Sequence, residues 1–363
     1  MTMRVGDLVE VRSKEEILAT LDKNGRLEGL PFMPQMLKYC GQHFPVYKVA
    51  HKTCDTVTGP AGLSVPNCIH LNIRCDGEAY GGCDAACLIF WKEAWLRPVR
   101  TGRARDPAEV TPSLRTPKCT ELDLARATST SDQSGETIYR CQAVCLRDYT
   151  SRLPWWDFRQ YLKDYLSGNL TLWGLFSRAA FVTYWHATQA ARHRFGIGAP
   201  GRWLYDRFQQ IVGGVPFPYR LGLIPLGQKT PTNSLNLQPG DLVRVKSHNE
   251  ILKTLNVRNM NNGMSFDVEM VPFCGKTFRV KSRINTFIDE KTGRRKALRT
   301  PAVILEGVWC HACYSPDRMG CPRSIYSWWR EIWLERVPEE STLRNATRPG
   351  ESLGAERVSS SGA

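Results

Sequence analysis

Thirteen cysteines are the residues of this chain best suited to chemistry. Cys83 and Cys87 are separated by three residues, Cys75 lies a short loop earlier, and Cys54 ends a preceding strand-like run. Zinc takes four soft ligands at the corners of a tetrahedron, commonly as close pairs brought together by folding, so Cys54, Cys75, Cys83 and Cys87 form one candidate site. Cys310, Cys313 and Cys321, with His311 among them, form a second and less complete set. Four thiolates leave no open position on the metal, so such a zinc would be structural. The alternative is packing, because free cysteine also behaves as a small buried apolar side chain. Cys40 and Cys274, each just before a helix-ending glycine, read better as core. Cys119, Cys141 and Cys145 read as structural, although Cys141-x3-Cys145 could cap a site from outside the repeat described below.

A thiolate beside an imidazolium is a nucleophile near neutral pH, so Cys54 with His51 or His70 is a conceivable catalytic pair. No third group that would orient the histidine can be named, and no catalytic residue is assigned. The chain has no Gly-rich nucleotide loop, His-Glu-x-x-His or Gly-x-Ser-x-Gly. The other chemically suggestive run is Lys291-Thr-Gly-Arg-Arg-Lys296, a hairpin tip whose Lys291, Arg294, Arg295 and Lys296 could contact phosphate or another polyanion. The same run also fits a hydrated loop. Net charge is +14 and unevenly spread: residues 1–96 hold 10 Lys/Arg against 11 Asp/Glu, whereas residues 240–337 hold 17 against 10.

The elements that position these groups come from a duplication. Residues 6–21, GDLVEVRSKEEILATL, and 240–255, GDLVRVKSHNEILKTL, agree at 11 of 16 positions. The same offset carries Phe32 to Phe266, Met36 to Met270, Cys54 to Ile288 and Asp55 to Asp289. Small insertions then move Cys75 onto Cys310, Cys83 onto Cys321, Cys87 onto Ile325 and Trp91 onto Trp329. The paired loss of Cys54 and Cys87 from the second copy is what a metal site abandoned in one repeat would look like.

Each repeat opens with alternating apolar residues, as a half-buried strand does. Ser13 with Glu16, and Ser247 with Glu250, have capping-box spacing and predict a short helix after each strand. Phe32, Met36 and Tyr39 predict another helical turn ending at Gly41. Strands are expected over 44–50, 68–74, 278–288 and 302–309, with Trp-rich segments 90–96 and 328–334 closing the repeats. Residues 155–195 read as two helices broken at Ser167-Gly168-Asn169, and 202–212 as a third ended by Gly213-Gly214. Their aromatics, among them Trp155, Trp156, Tyr161, Tyr165, Trp173, Tyr184 and Trp185, have the spacing of core residues, with base stacking as the alternative. Residues 98–135, rich in Pro, Arg, Ser and Thr, are expected to be an exposed connection, and the polar tail after 337 to be disordered.

The Gly-Asp-x-Val-x-Val opening resembles the first strand of SH3-like and KOW-like barrels. The two-copy GDLVxVxS arrangement resembles that of bacterial hypothetical proteins, which implies a bacterial origin and supplies no activity. The expected fold is therefore α+β: two small SH3-like β-barrel modules, 1–98 and 240–337, flanking a mainly helical segment, 99–239, with a tail at 338–363. With 42% hydrophobic and 23% charged residues, global disorder and collagen-like fibres are excluded. No run of about 18 uncharged apolar residues predicts a membrane span. The N-terminus lacks a signal-peptide pattern, so a reducing cytosol is expected. The expected function is a non-catalytic interaction scaffold, pinned by structural zinc and offering a basic surface to an anionic partner. Nucleic acid is the first candidate partner, with an acidic protein or polysaccharide meeting the same charge. The alternative is a biosynthetic enzyme with a metal or cysteine site between the modules.

Overall fold

A computed structural model of the protein describes residues 3–58, 62–99, 118–195, 198–318 and 320–338. Residues 339–363 of the tail and 100–117 of the Pro/Arg-rich connection lie outside these residues. Among them are six α-helices: α1 (Lys14–Thr20), α2 (Glu121–Ala127), α3 (Arg159–Leu166), α4 (Leu172–Phe195), α5 (Gly198–Val212) and α6 (His248–Leu252). The strands are short, antiparallel and spread over several small sheets, so the architecture is α+β.

The two repeats begin identically. In strand Leu8–Val11, Val9 and Val11 point into a core and are fully buried, as are Val243 and Val245 in strand Leu242–Val245. Ser13 caps α1: its Oγ accepts the Glu16 amide at 3.2 Å and the Glu16 carboxylate accepts the Ser13 amide at 3.0 Å. Ser247 and Glu250 repeat the pattern at α6. The Trp-rich closures complete the cores. Trp95 meets Phe32 edge-to-face at 5.1 Å and donates its indole N–H to Thr20; Trp333 meets Phe266 at 5.3 Å and donates to Thr254. Buried indoles need such a partner, and both repeats supply it from the first helix or the residues just after it.

The repeats differ in how the sheet continues. In the second copy, Leu242–Val245 lies between Leu334–Arg336 and Thr277–Arg283, and the sheet runs on through Ala302–Trp309 to Tyr326–Arg330. In the first copy the equivalent strand splits into His43–Pro45 and Lys48–Val49, which belong to separate three-stranded sheets. Pro45 stands where the second copy has Arg279, and a proline has no N–H to donate to a ladder.

Each repeat then sends out a hairpin that leaves its own module. Lys52–Cys54 and Gly62–Ser64 gain a third strand, Ser151–Leu153, from the central segment. Thr286–Ile288 and Arg295–Ala297 form the counterpart. This second hairpin docks on the first repeat: Asp84 accepts the amides of Asn285 and Thr286 at 2.8 and 2.9 Å, and Ile288 is buried in the first core. Reciprocally, Arg323 of the second repeat reaches the Cys54 carbonyl at 3.4 Å and the Thr56 hydroxyl at 3.2 Å. The hairpins are exchanged between the two halves.

The central segment fastens both halves. The Gln142 side chain is buried in the first module, donating to the carbonyls of Pro31 and Phe90 and accepting the Phe90 amide, each at 2.9–3.0 Å. Helix α3 is anchored by Asp164, fully buried, which takes Lys52 at 2.5 Å and faces His51 at 3.1 Å. Glu331, also fully buried, accepts the amides of Leu235, Asn236 and Leu237 and so ties the chain entering the second module to its core. The α3–α5 region corrects the expectation that its aromatics are core. Phe181 is buried and Tyr184 and Tyr205 stack at 5.1 Å, but Trp155, Trp156 and Trp173 are 61–73% exposed.

Candidate functional site

The cysteine-bearing loops are closed by the same two backbone bonds in both repeats, the second loop being three residues longer. The Cys75 amide bonds the Cys87 carbonyl at 2.9 Å, and the Cys310 amide bonds that of Ile325 at 2.8 Å. Gly82 closes onto Gly77, and Gly320 onto Ala312, at 3.0 Å. Gly77 needs its left-handed φ of 75°, and a Cβ there would lie 2.0 Å from the Cys83 carbonyl oxygen. Within the first loop, Cys75, Cys83 and Cys87 line a small, partly open pocket of about 30 Å³. The fourth sulfur on that cavity is Cys141, from the central segment, and not Cys54. Gln142, clamped between Pro31 and Phe90, sets its position. Burial pushes the thiols of Cys75, Cys87 and Cys141 up to about 12. Against that burial, the Gly77 amide lowers Cys75, and the Val144 and Ala143 amides lower Cys141.

Cys54 belongs to the other half. The exchanged hairpin carries it to Cys321, to which it is hydrogen-bonded, with Cys310 close by. The Cys321 sulfur, accepting from Cys54 and from the Arg323 amide, is held below the ordinary thiol value, whereas that same bond and burial push Cys54 up. Burial also raises Cys310. Cys313 is set apart: its thiol lies near Arg178 and Glu269, and burial raises it to about 11. Of the thiols singled out by spacing, Cys75, Cys83 and Cys87 share the first pocket, Cys54 lies with Cys310 and Cys321 in the other half, and Cys313 is apart from both. Cys40 and Cys274 pack against the cores as expected. Among the described residues, no three cysteine, histidine or carboxylate side chains are drawn in around one point as a bound metal would hold them.

The histidines considered for a nucleophilic pair are engaged elsewhere. His70 bonds the Ile89 carbonyl through Nδ1 at 2.8 Å, and His51 faces Asp164. Burial lowers both to about 4, so both are neutral at pH 7. Asp55 and Asp289 fix their turns, Asp55 through the amides of Val57 and Thr58 and Asp289 through that of Lys291.

The basic hairpin tip is partly neutralised. Arg294 pairs with Asp132 at 2.5 Å and Glu136 at 3.1 Å, and Lys296 pairs with Asp289, while Lys291 and Arg295 are exposed. The Tyr139 amide bonds the Gly293 carbonyl at 2.8 Å, so the tip is docked on the central hairpin Ser129–Ser131/Thr137–Tyr139. A cationic cleft that spacing did not reveal lies where the first repeat meets α2. Lys23, Arg26, Arg126 and Arg140 line a cleft of about 520 Å³ with Asp123 its one carboxylate. Arg26 pairs with Asp148 at 2.6 Å; Lys23, Arg126 and Arg140 are in no ion pair among the described residues. These four lie up to 117 positions apart in the chain, so no local charge run marked them.

No protein-family model matches the chain, and no curated protein matches it in sequence. No helix among the described residues is long and apolar enough to cross a membrane.

Proposed function

We propose that this protein is a non-catalytic binding scaffold of the reducing cytosol, built from two SH3-like modules, that holds single-stranded nucleic acid. The carrying observation is the cleft of Lys23, Arg26, Arg126 and Arg140, three of whose cations have no carboxylate partner among the described residues. A cleft lined by one sign of charge concentrates anions, and phosphates are positioned by such lysines and arginines. The exposed rings of Trp155, Trp156 and Trp173 add flat faces on which unpaired bases stack. The repeat opening and the capped first helix support the SH3-like reading of each module.

Fluorescence anisotropy of a labelled single-stranded oligonucleotide, run from 50 to about 300 mM salt, tests the assignment. Each phosphate contact on a single strand contributes a slope of about −0.7 in log K against log salt. Replacing Lys23, Arg126 and Arg140 with alanine should therefore weaken binding and flatten the slope by about 2. Replacing Lys291 and Arg295 should change it less. An unaltered slope in the cleft variant, or no binding by the parent at low salt, rejects the reading.

A further inference from the structure

We infer that Cys75, Cys83, Cys87 and Cys141 are the ligands of one tetrathiolate metal site, of the kind that takes zinc, and that its fourth ligand comes from the central segment. Three sulfurs come from one closed loop, whose ends are joined by the Cys75–Cys87 backbone bond. The fourth is delivered by a residue fixed next to buried Gln142. All four line one cavity of about 30 Å³. That is room for one small ion, since a single water needs roughly 10–15 Å³ of such space. Swinging the four side chains inward to Zn–S bonds of about 2.3 Å would fill the void.

One further feature fits a metal. A divalent ion with four thiolates carries a net charge of −2, and the guanidinium of Arg323, only 3% exposed and paired with Glu290 at 2.8 Å, lines the same cavity. Binding expels the four thiol protons to solvent, so affinity falls as pH falls. The second loop departs from this set. Ile325 stands at the Cys87 position, and its Cys310 and Cys321 meet Cys54 instead of an equivalent of Cys141. The zinc would pin the Cys75–Cys87 loop to the central segment, which is where the exchanged hairpin docks. This site does not depend on nucleic-acid binding.

Cobalt(II) replaces zinc in thiolate sites and reports them by colour. The full chain, stripped with chelator under reducing conditions, should take up Co²⁺ with strong thiolate charge-transfer bands and tetrahedral d–d bands, and lose them on adding Zn²⁺. Cys141→Ser should lower Co²⁺ affinity by more than the roughly 100-fold that loss of an outer-shell partner costs. Cys141→His should keep the metal with d–d bands shifted as one nitrogen replaces one sulfur, a readout that a packing role cannot produce. Cys54→Ser should leave these bands in place. No bands in the parent, an unshifted spectrum in Cys141→His, or bands lost in Cys54→Ser but kept in Cys141→Ser would each overturn the assignment.

Discussion

Three buried histidines make this fold sensitive to mild acid. Burial holds His51, His70 and His248 at about 4, against 6.5 for a free side chain. Cations add to the effect: Lys52 and Lys163 near His51, Arg74 and Arg323 near His70, and Arg220 near His248. Above pH 6.5 neither state binds a proton at these sites, and they do not affect stability. Between 6.5 and 4 the unfolded chain takes up protons that the folded chain refuses, so stability falls as pH falls. A difference of about 2.5 units corresponds to about 3 kcal/mol per histidine at pH 4. At His51 the Asp164 carboxylate, 3.1 Å away, opposes the shift, so the loss is clearest at His70, which faces only a carbonyl and cations. Asp164 and Glu269 oppose this, because burial raises their carboxyls and they take protons more readily when folded. The clean measurement is therefore a difference. Urea unfolding, followed by tryptophan fluorescence at pH 7.5, 6.5, 5.5 and 4.5, is compared between the parent and His70→Gln, whose amide N–H can still donate to the Ile89 carbonyl. The parent should lose up to about 2.5 kcal/mol more than the variant across this range. Identical pH slopes would refute a buried neutral His70.

Glu331→Gln replaces one carboxylate oxygen with an N–H₂ that faces the donating amides of residues 235–237. Hydrogen bonds to a charged group are worth about 1.5–3 kcal/mol, and a stranded buried donor costs about 1–3. Unfolding free energy should thus drop by about 3–5 kcal/mol on this account. Among the described residues its counterpart Glu93 holds no such cluster of amides, so Glu93→Gln should cost less than about 1 kcal/mol. Gly77→Ala should open the Cys75–Cys87 loop, because the added Cβ meets the Cys83 carbonyl oxygen and φ is left-handed. Faster iodoacetamide labelling of Cys75 and Cys87 would report the opening, and labelling at the parent rate would contradict it.

Features read within one stretch of chain were legible in the sequence. The capping boxes at Ser13 and Ser247, the break between α3 and α4, the end of α5 before Gly213 and the burial of the four repeat tryptophans all follow from local propensity and apolar period. Features that depend on what the chain meets in space were not. Trp155 and Trp173 have core-like spacing, but nothing among the described residues covers them, and spacing alone does not reveal a missing partner. Cys141 lies 54 residues beyond Cys87 and reaches the cavity only through the clamp on Gln142. The cationic cleft is assembled from a turn of the first repeat and from the α2 region. The charge run that did stand out, at 291–296, faces acidic residues of the central hairpin that lie more than 150 positions away.

The exchanged hairpins give the paired Cys54/Ile288 and Cys87/Ile325 differences a meaning other than loss of a site in one copy. Cys54 and Ile288 are equivalent positions, but each sits against the loop of the opposite repeat. Ile288 therefore supplies an apolar wall to the first loop, where Cys87 and Cys141 complete a set of four sulfurs. Cys54 supplies a sulfur to the second loop, where Ile325 has replaced the third cysteine. Each loop thus contains one isoleucine and one cysteine at the two variable positions, in opposite places. A hairpin returned to its own module would bring Cys54 to a loop already holding Cys75, Cys83 and Cys87, and Ile288 to one left with Cys310 and Cys321 alone. The exchanged pairing is set by the bonds of Asp84 to Asn285 and Thr286 and of Arg323 to Cys54 and Thr56, and the chain holds its two halves together through the same loops that carry its thiols.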